Sequence, residues 1–180
     1  MLFRSYFEKD EEEKQKLINP IDSKIIAIGL KEKDKESVIF MGEDEKKILE
    51  DFWKYYSNFK TNNIFSKIVG FNIKSFDMSF LISRSFINKV KIKPFSLKEI
   101  MDLREYITCF RYGKSRGTLK EFGEAVGVSL IDDMDGSMVA ELCYKKDYAL
   151  IEKYLLKDME LTEKVHDVLM ELDIDKIKQY

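Results

Sequence analysis

Two aspartates and a tyrosine stand where a folded chain has physical reason to use them. Asp77 closes the stretch Ile68–Asp77, IVGFNIKSFD. Ile64–Phe71 is an apolar, β-branched run with the pattern of a buried strand, and it breaks at Asn72. Asp77 stands just before Met78–Asn88, whose Phe80, Leu81, Arg84, Phe86 and Ile87 suit a helix. A carboxylate at the mouth of a helix can accept orphan N–H bonds and is favoured by the helix dipole. Tyr154 and Asp158 lie four apart within Ala149–Leu172. There Leu150, Ile151, Tyr154, Leu155, Leu161, Val165, Val168 and Leu169 fall at helical spacing. The two side chains therefore share one helical face. That face is otherwise apolar, so Asp158 is expected to point inward, where a lone carboxylate is costly unless it binds something.

The rest of the chain must position these residues. Glu8–Lys16 (EKDEEEKQK) is a charge run expected to be a solvated loop, and Asn19-Pro20 marks a turn. Lys24–Leu30 and Ser37–Met41 read as two strands of a hairpin around the charged connection Lys31–Glu36. Asp44–Phe59 is an amphipathic helix with Ile48, Leu49, Phe52, Trp53 and Tyr56 on one face. Aromatic residues at that spacing are expected in the core rather than as a platform for bases. Pro94 opens a connecting region, and Ser96–Tyr106 reads as a strand or short helix leading to Asp102-Leu103. Thr118–Val126 is a short helix with Thr118 and Glu121 at capping-box spacing and Gly127 as its C-terminal cap. Val128–Val139 is a polar loop. No repeat or linker composition divides the 180 residues, so one α/β domain over 1–180 is expected, with 1–20 a charged, poorly matched segment.

Composition narrows the function classes. Hydrophobic content of 44% with 13% aromatics supports a packed globule rather than disorder. Charge is balanced, 31 basic against 33 acidic residues, so a nucleic-acid ligand needs a local basic groove rather than an overall field. Arg111, Lys114 and Arg116 form one basic cluster, which a solvated loop explains as well as phosphate contact does. Cys109 and Cys143 lack metal-ligand spacing and read as buried thiols of a reduced, intracellular, cytoplasmic protein. No apolar run approaches the roughly 18 residues of a membrane span, and no signal-peptide pattern precedes a cleavage site.

In this order the motifs N-x-x-x-F-D (Asn72, Phe76, Asp77) and Y-x-x-x-D (Tyr154, Asp158) resemble the second and third motifs of the DEDD-type (DEDDy) 3′–5′ exonucleases. The resemblance is closest to the exonuclease domain of family B DNA polymerases and its stand-alone relatives. Gly117–Val128, GTLKEFGEAVGV, is similar to that family's "sLdelaealGi" phrase, and Asp135-Gly136-Ser137 with Val139 to its "dGs-x-V". The resemblance covers roughly Lys24 to Leu169. It implies an RNase H-like fold, a mixed sheet flanked by helices. It also implies metal-dependent removal of nucleotides from a 3′ end, in which two cations about 4 Å apart activate a water and stabilise the leaving oxygen. On that resemblance Asp77 and Asp158 would ligate Mg²⁺ or Mn²⁺, and Tyr154 would orient or deprotonate the attacking water. Asn72 and Phe76 would shape the turn that presents Asp77 and line the substrate cleft, and Arg84 would meet phosphate. A single-stranded nucleic acid or its 3′ end is the implied ligand, in DNA replication or repair, with a replication or repair protein as a further partner.

The family's first motif, a strand ending D-x-E, has no counterpart in the opening MLFRSYFEKDEEE. One register puts Arg4 and Tyr6 at the acidic positions, and the other puts Leu2 and Arg4 there. Glu8 or Asp10 could substitute. With half the carboxylates gone, the site is expected to be poor at two-metal catalysis, and His166 lies two turns beyond Asp158, too far for the same cation. Three readings stay open: an impaired exonuclease domain that still binds 3′ ends, an inactive fold kept as a protein-interaction module, and an active exonuclease whose front is shortened in this chain.

Overall fold

The computed structural model describes residues 2–4, 19–111, 117–128, 142 and 145–178, with backbone only at 2–4. The chain runs β1 (Leu2–Arg4), β2 (Ile25–Lys31), β3 (Ser37–Met41), α1 (Glu45–Asn62), β4 (Ile68–Gly70) and a π-helical turn (Lys74–Met78) continuous with α2 (Ser79–Ile87). A 3₁₀ turn (Leu97–Glu99), β5 (Ile100–Asp102), α3 (Leu103–Ile107), α4 (Leu119–Ala125) and α5 (Tyr148–Glu171) follow, and a last 3₁₀ turn spans Ile174–Lys176.

The fold is the mixed α/β class expected, drawn as two small sheets among the described residues. One is antiparallel, in the order β1-β2-β3, and the other pairs β4 with β5 in parallel. The hairpin forms as its pattern requires, with Ala27 opposite Met41 and Lys31 opposite Ser37. Strand β1 lies against β2, Leu2 opposite Ile28 and Arg4 opposite Ile25, with the register slipping between Phe3 and Arg4.

Strand β2 serves two clusters of the core. Ile25 and Ile28 join Ile48, Leu49, Phe52, Trp53 and Tyr56 of α1 with Phe80 and Leu81 of α2. Ile26 and Ala27 join Ile151, Tyr154, Leu155 and Met159 of α5. A third cluster sets Met101, Leu103 and Leu119 against Leu161, Val165 and Leu169 in the second half of α5. Trp53 is 3% exposed, its indole N–H donating to Ser85 Oγ at 2.8 Å, so the α1 aromatics are core.

Gly29 marks where α5 presses closest on the sheet. A Cβ added there would stand 2.8 Å from Leu155 Cγ and 3.0 Å from Met159 Sδ, closer than packed carbons sit. Gly29→Ala is expected to destabilise the fold by about 1–3 kcal/mol through overpacking. A chemical denaturation midpoint no lower than that of the parent would show that α5 is not seated this tightly.

Several local expectations hold in detail. Asp44 caps α1, accepting from Lys47 N–H at 3.1 Å. At α4 the capping box closes, Glu121 N–H donating to Thr118 Oγ1 at 3.2 Å and Thr118 N–H to Glu121 Oε2 at 2.6 Å. Gly127, at φ +74°, ends that helix with bonds from its own N–H to Glu124 and from Val128 N–H to Gly123, the Schellman arrangement.

Two expectations fail. Ile64–Phe71 is not one buried strand: only Ile68–Gly70 pairs, while Ile64 is 68% and Phe65 97% exposed. The Lys60 ammonium donates to the carbonyls of Ile64 and Ser66, wrapping this backbone around a cation instead of a ladder. Cys109 is exposed rather than buried. After α3 ends, Cys109 and Phe110 both adopt left-handed backbone (φ +51° and +56°). This turns the thiol outward while the Phe110 ring packs on Tyr106. Cys143 lies outside the described residues. No helix among them is long and apolar enough to cross a membrane.

Candidate nuclease-type site

The turn that presents Asp77 is built around a different carboxylate, Asp102. This side chain is 1% exposed and accepts three backbone N–H bonds. They come from Asn72 (Oδ1, 2.8 Å), Lys74 (Oδ2, 3.1 Å) and Arg104 (Oδ1, 3.1 Å). The parallel pairing of β4 with β5 brings Gly70 opposite Asp102, so the acid reaches the chain just as it leaves β4. Asn72 takes a left-handed conformation there, φ +54°, which asparagine tolerates better than most residues. Burial, the largest influence, pushes the Asp102 carboxyl above its ordinary range, and the backbone donors of Lys74, Asn72 and Arg104 partly offset it.

Asp77 is therefore not a helix cap. It lies inside the π-helical turn Lys74–Met78, where Met78 N–H reaches back to the Ile73 carbonyl at 2.9 Å. Phe71 packs into the cluster of Leu161, Val165 and Leu169 on α5, whereas Ile73 and Met78 pack into the cluster of Ile25 and Ile28 on β2. The segment carrying Asp77 is thus pinned at both ends, and Asp77 itself is half-buried. Such one-turn widenings of a helix recur at functional sites. The Phe76 ring tilts against Phe80, 6.2 Å between centroids.

Tyr154 (6% exposed) and Asp158 (5%) occupy one face of α5, both turned inward as their spacing requires. The Lys120 ammonium of α4 stands 5.5 Å from the centroid of the Tyr154 ring, within cation–π range. Nothing in GTLKEFG tells which face of α4 meets α5, so the sequence alone does not mark Lys120 as a neighbour of Tyr154.

Arg84 is positioned for structure. Its Nε donates to Glu45 Oε1 at 2.8 Å, its Nη2 to Glu45 Oε2 at 2.6 Å, and its Nη1 to the Pro20 carbonyl at 2.7 Å. A phosphate could be met only by breaking a buried, bidentate pair. Arg111 is exposed, and Lys114 and Arg116 lie outside the described residues, as do Glu8, Asp10 and the Asp135–Val139 phrase. His166, half-exposed, contacts Asp167.

Residues 15–100 match the family model of predicted 3′–5′ exonucleases related to the exonuclease domain of PolB. That range takes in Asn72, Phe76 and Asp77 and stops short of Tyr154 and Asp158. The family B DNA polymerase of the hyperthermophilic archaeon Pyrobaculum calidifontis superposes with a TM-score of 0.72 at 18% identity. The alignment covers 97% of this chain and 24% of the polymerase. Residues 15–100 are thus similar to that exonuclease family, and the chain shares its fold with part of the polymerase. No curated protein matches it. The chain spans about a quarter of the polymerase it resembles.

Whether the residues of this site fit a metal pair is a question of donors. Two Mg²⁺ or Mn²⁺ ions want many oxygen ligands, supplied mainly by carboxylates. Asp77 and Asp158 offer two carboxyl groups, and β1 carries Leu2, Phe3 and Arg4 with no acid. Among the described residues, no group of three or more His, Cys, Asp or Glu could hold a metal ion. The described donor set does not fit a two-cation centre.

Proposed function

We propose that this chain is an exonuclease-type domain that binds the 3′ end of single-stranded nucleic acid and cleaves it weakly or not at all. The observation that carries the reading is the donor set. The second and third motifs stand on a buttressed turn and a buried helical face, while the strand paired to β2 carries no acid. The two site carboxylates found among the described residues gather cations far less well than four, and two-metal catalysis depends on holding both ions in place. Asn72, Phe76 and Tyr154 would line the cleft for the terminal nucleotide, with Asp77 and Asp158 able to hold at most one Mg²⁺ or Mn²⁺ among waters. Arg84 is left out of this role because Glu45 holds it.

The test is a nuclease assay on single-stranded and 3′-overhang DNA and RNA in Mg²⁺ and then Mn²⁺, beside Asp77→Ala and Asp158→Ala. Binding without turnover is the expected result. Cleavage lost in both variants would show a working centre and overturn the impaired reading. Absence of both cleavage and binding would turn attention to a protein partner.

A further inference from the structure

We propose that the Lys120 ammonium binds a backbone phosphate at the 3′ end of the strand, so that at this site a lysine does the electrostatic work of a cation. The inference rests on the single-strand reading above and adds the group that makes the contact. Lys120 sits in the first turn of α4, two residues beyond the Thr118 cap, where the helix dipole disfavours a positive charge. The side chain is nonetheless directed at α5. Gly123, one turn further along α4, lies so close to α5 that a Cβ there would stand 2.8 Å from Leu161 Cδ1. Residues three apart share a helical face, so the contact that seats Gly123 also aims Lys120 across the same interface. Its ammonium covers the Tyr154 ring at 5.5 Å, and Asp158 is one turn beyond Tyr154 on α5. A chain of net charge −2 has no general attraction for nucleic acid, so phosphate affinity must come from cations placed at the cleft.

The test is fluorescence anisotropy of a short 5′-labelled oligodeoxythymidylate, in excess EDTA and again in Mg²⁺. The parent protein is expected to bind in EDTA. Lys120→Gln should weaken binding about tenfold and lower the salt slope by about one. Lys120→Arg should restore most of the affinity, and thermal melting would show whether each variant is folded. A circularised strand should compete poorly, because it has no 3′ end. Binding seen only with Mg²⁺ would assign the work to a metal ion and overturn the proposal. So would a Lys120→Gln protein that melts earlier yet binds with unchanged affinity and salt slope, which would make Lys120 a structural neighbour of Tyr154. Equal competition by the circle would refute the end contact. No binding by the parent in either condition would remove the single-strand reading itself, and the Lys120 contact with it.

Discussion

Arg84→Ala is expected to lower the stability of the fold by about 3–5 kcal/mol, the loss typical when one partner of a buried ion pair is removed. Glu45 is the reason. Its carboxylate, buried at the start of α1, accepts from Arg84 through both oxygens, from Ile25 N–H at 2.6 Å and from Asn88 Nδ2 at 2.8 Å. With the Pro20 carbonyl on Arg84 Nη1, one cluster joins the turn before β2, the strand itself, α1 and α2. Removing the guanidinium leaves a carboxylate buried with amide donors alone. Arg84→Lys should recover little, because an ammonium cannot reproduce the two-pronged contact. The double variant with Glu45→Ala should lose less than the sum of the single losses, since both residues belong to one network. Urea unfolding with an unchanged slope is the measurement. A shift of Arg84→Ala below about 0.5 kcal/mol, the range of ordinary surface changes, would return Arg84 to the surface as a candidate for phosphate.

Asp102→Ala should cost about 3 kcal/mol, two backbone donors at the Asn72 turn and a third at the start of α3 losing their acceptor at about 1 kcal/mol or more each. The site should suffer beyond the stability loss, since these bonds hold the turn from which Asp77 projects. Single-strand binding by Asp102→Ala should therefore fall even at temperatures where the variant is fully folded. Asp102→Asn gives a second readout. The folded-state pKa of Asp102 is raised above its ordinary 3.8, so the folded protein holds this proton more tightly than the unfolded chain. The contribution of the protonated acid is fully present below pH 3.8 and is lost as pH rises through the folded-state value. Between that ordinary value and the raised one, the parent should lose stability relative to Asp102→Asn. Denaturation midpoints of the two proteins that run parallel across this window would mean the carboxyl is not set by burial.

What the chain determined by itself was local and periodic. The hairpin of Lys24–Leu30 and Ser37–Met41, the Thr118–Glu121 capping box, the Gly127 terminus and the inward face of Tyr154 and Asp158 follow from alternation, capping chemistry and 3.6-residue spacing. All of these act over a few residues. The order of N-x-x-x-F-D and Y-x-x-x-D, far apart in the sequence, is likewise legible along the chain and carries the exonuclease resemblance. The tertiary structure decided what depends on partners far along the chain. Asp102 lies thirty residues from Asn72, and no pattern around Asp102-Leu103 reveals that its carboxylate would organise another strand's exit. Arg84 reads as a basic residue near a site until Glu45, from the start of α1, closes on it. Lys120 gains meaning only once Gly123 allows α4 to settle against α5. Ile64 and Phe65 look like strand because apolar runs look alike, and the Lys60 ammonium, drawing their backbone into a loop, decides otherwise. Short-range propensity is written in neighbouring residues. Burial of charge is settled by which distant groups the packed core brings together.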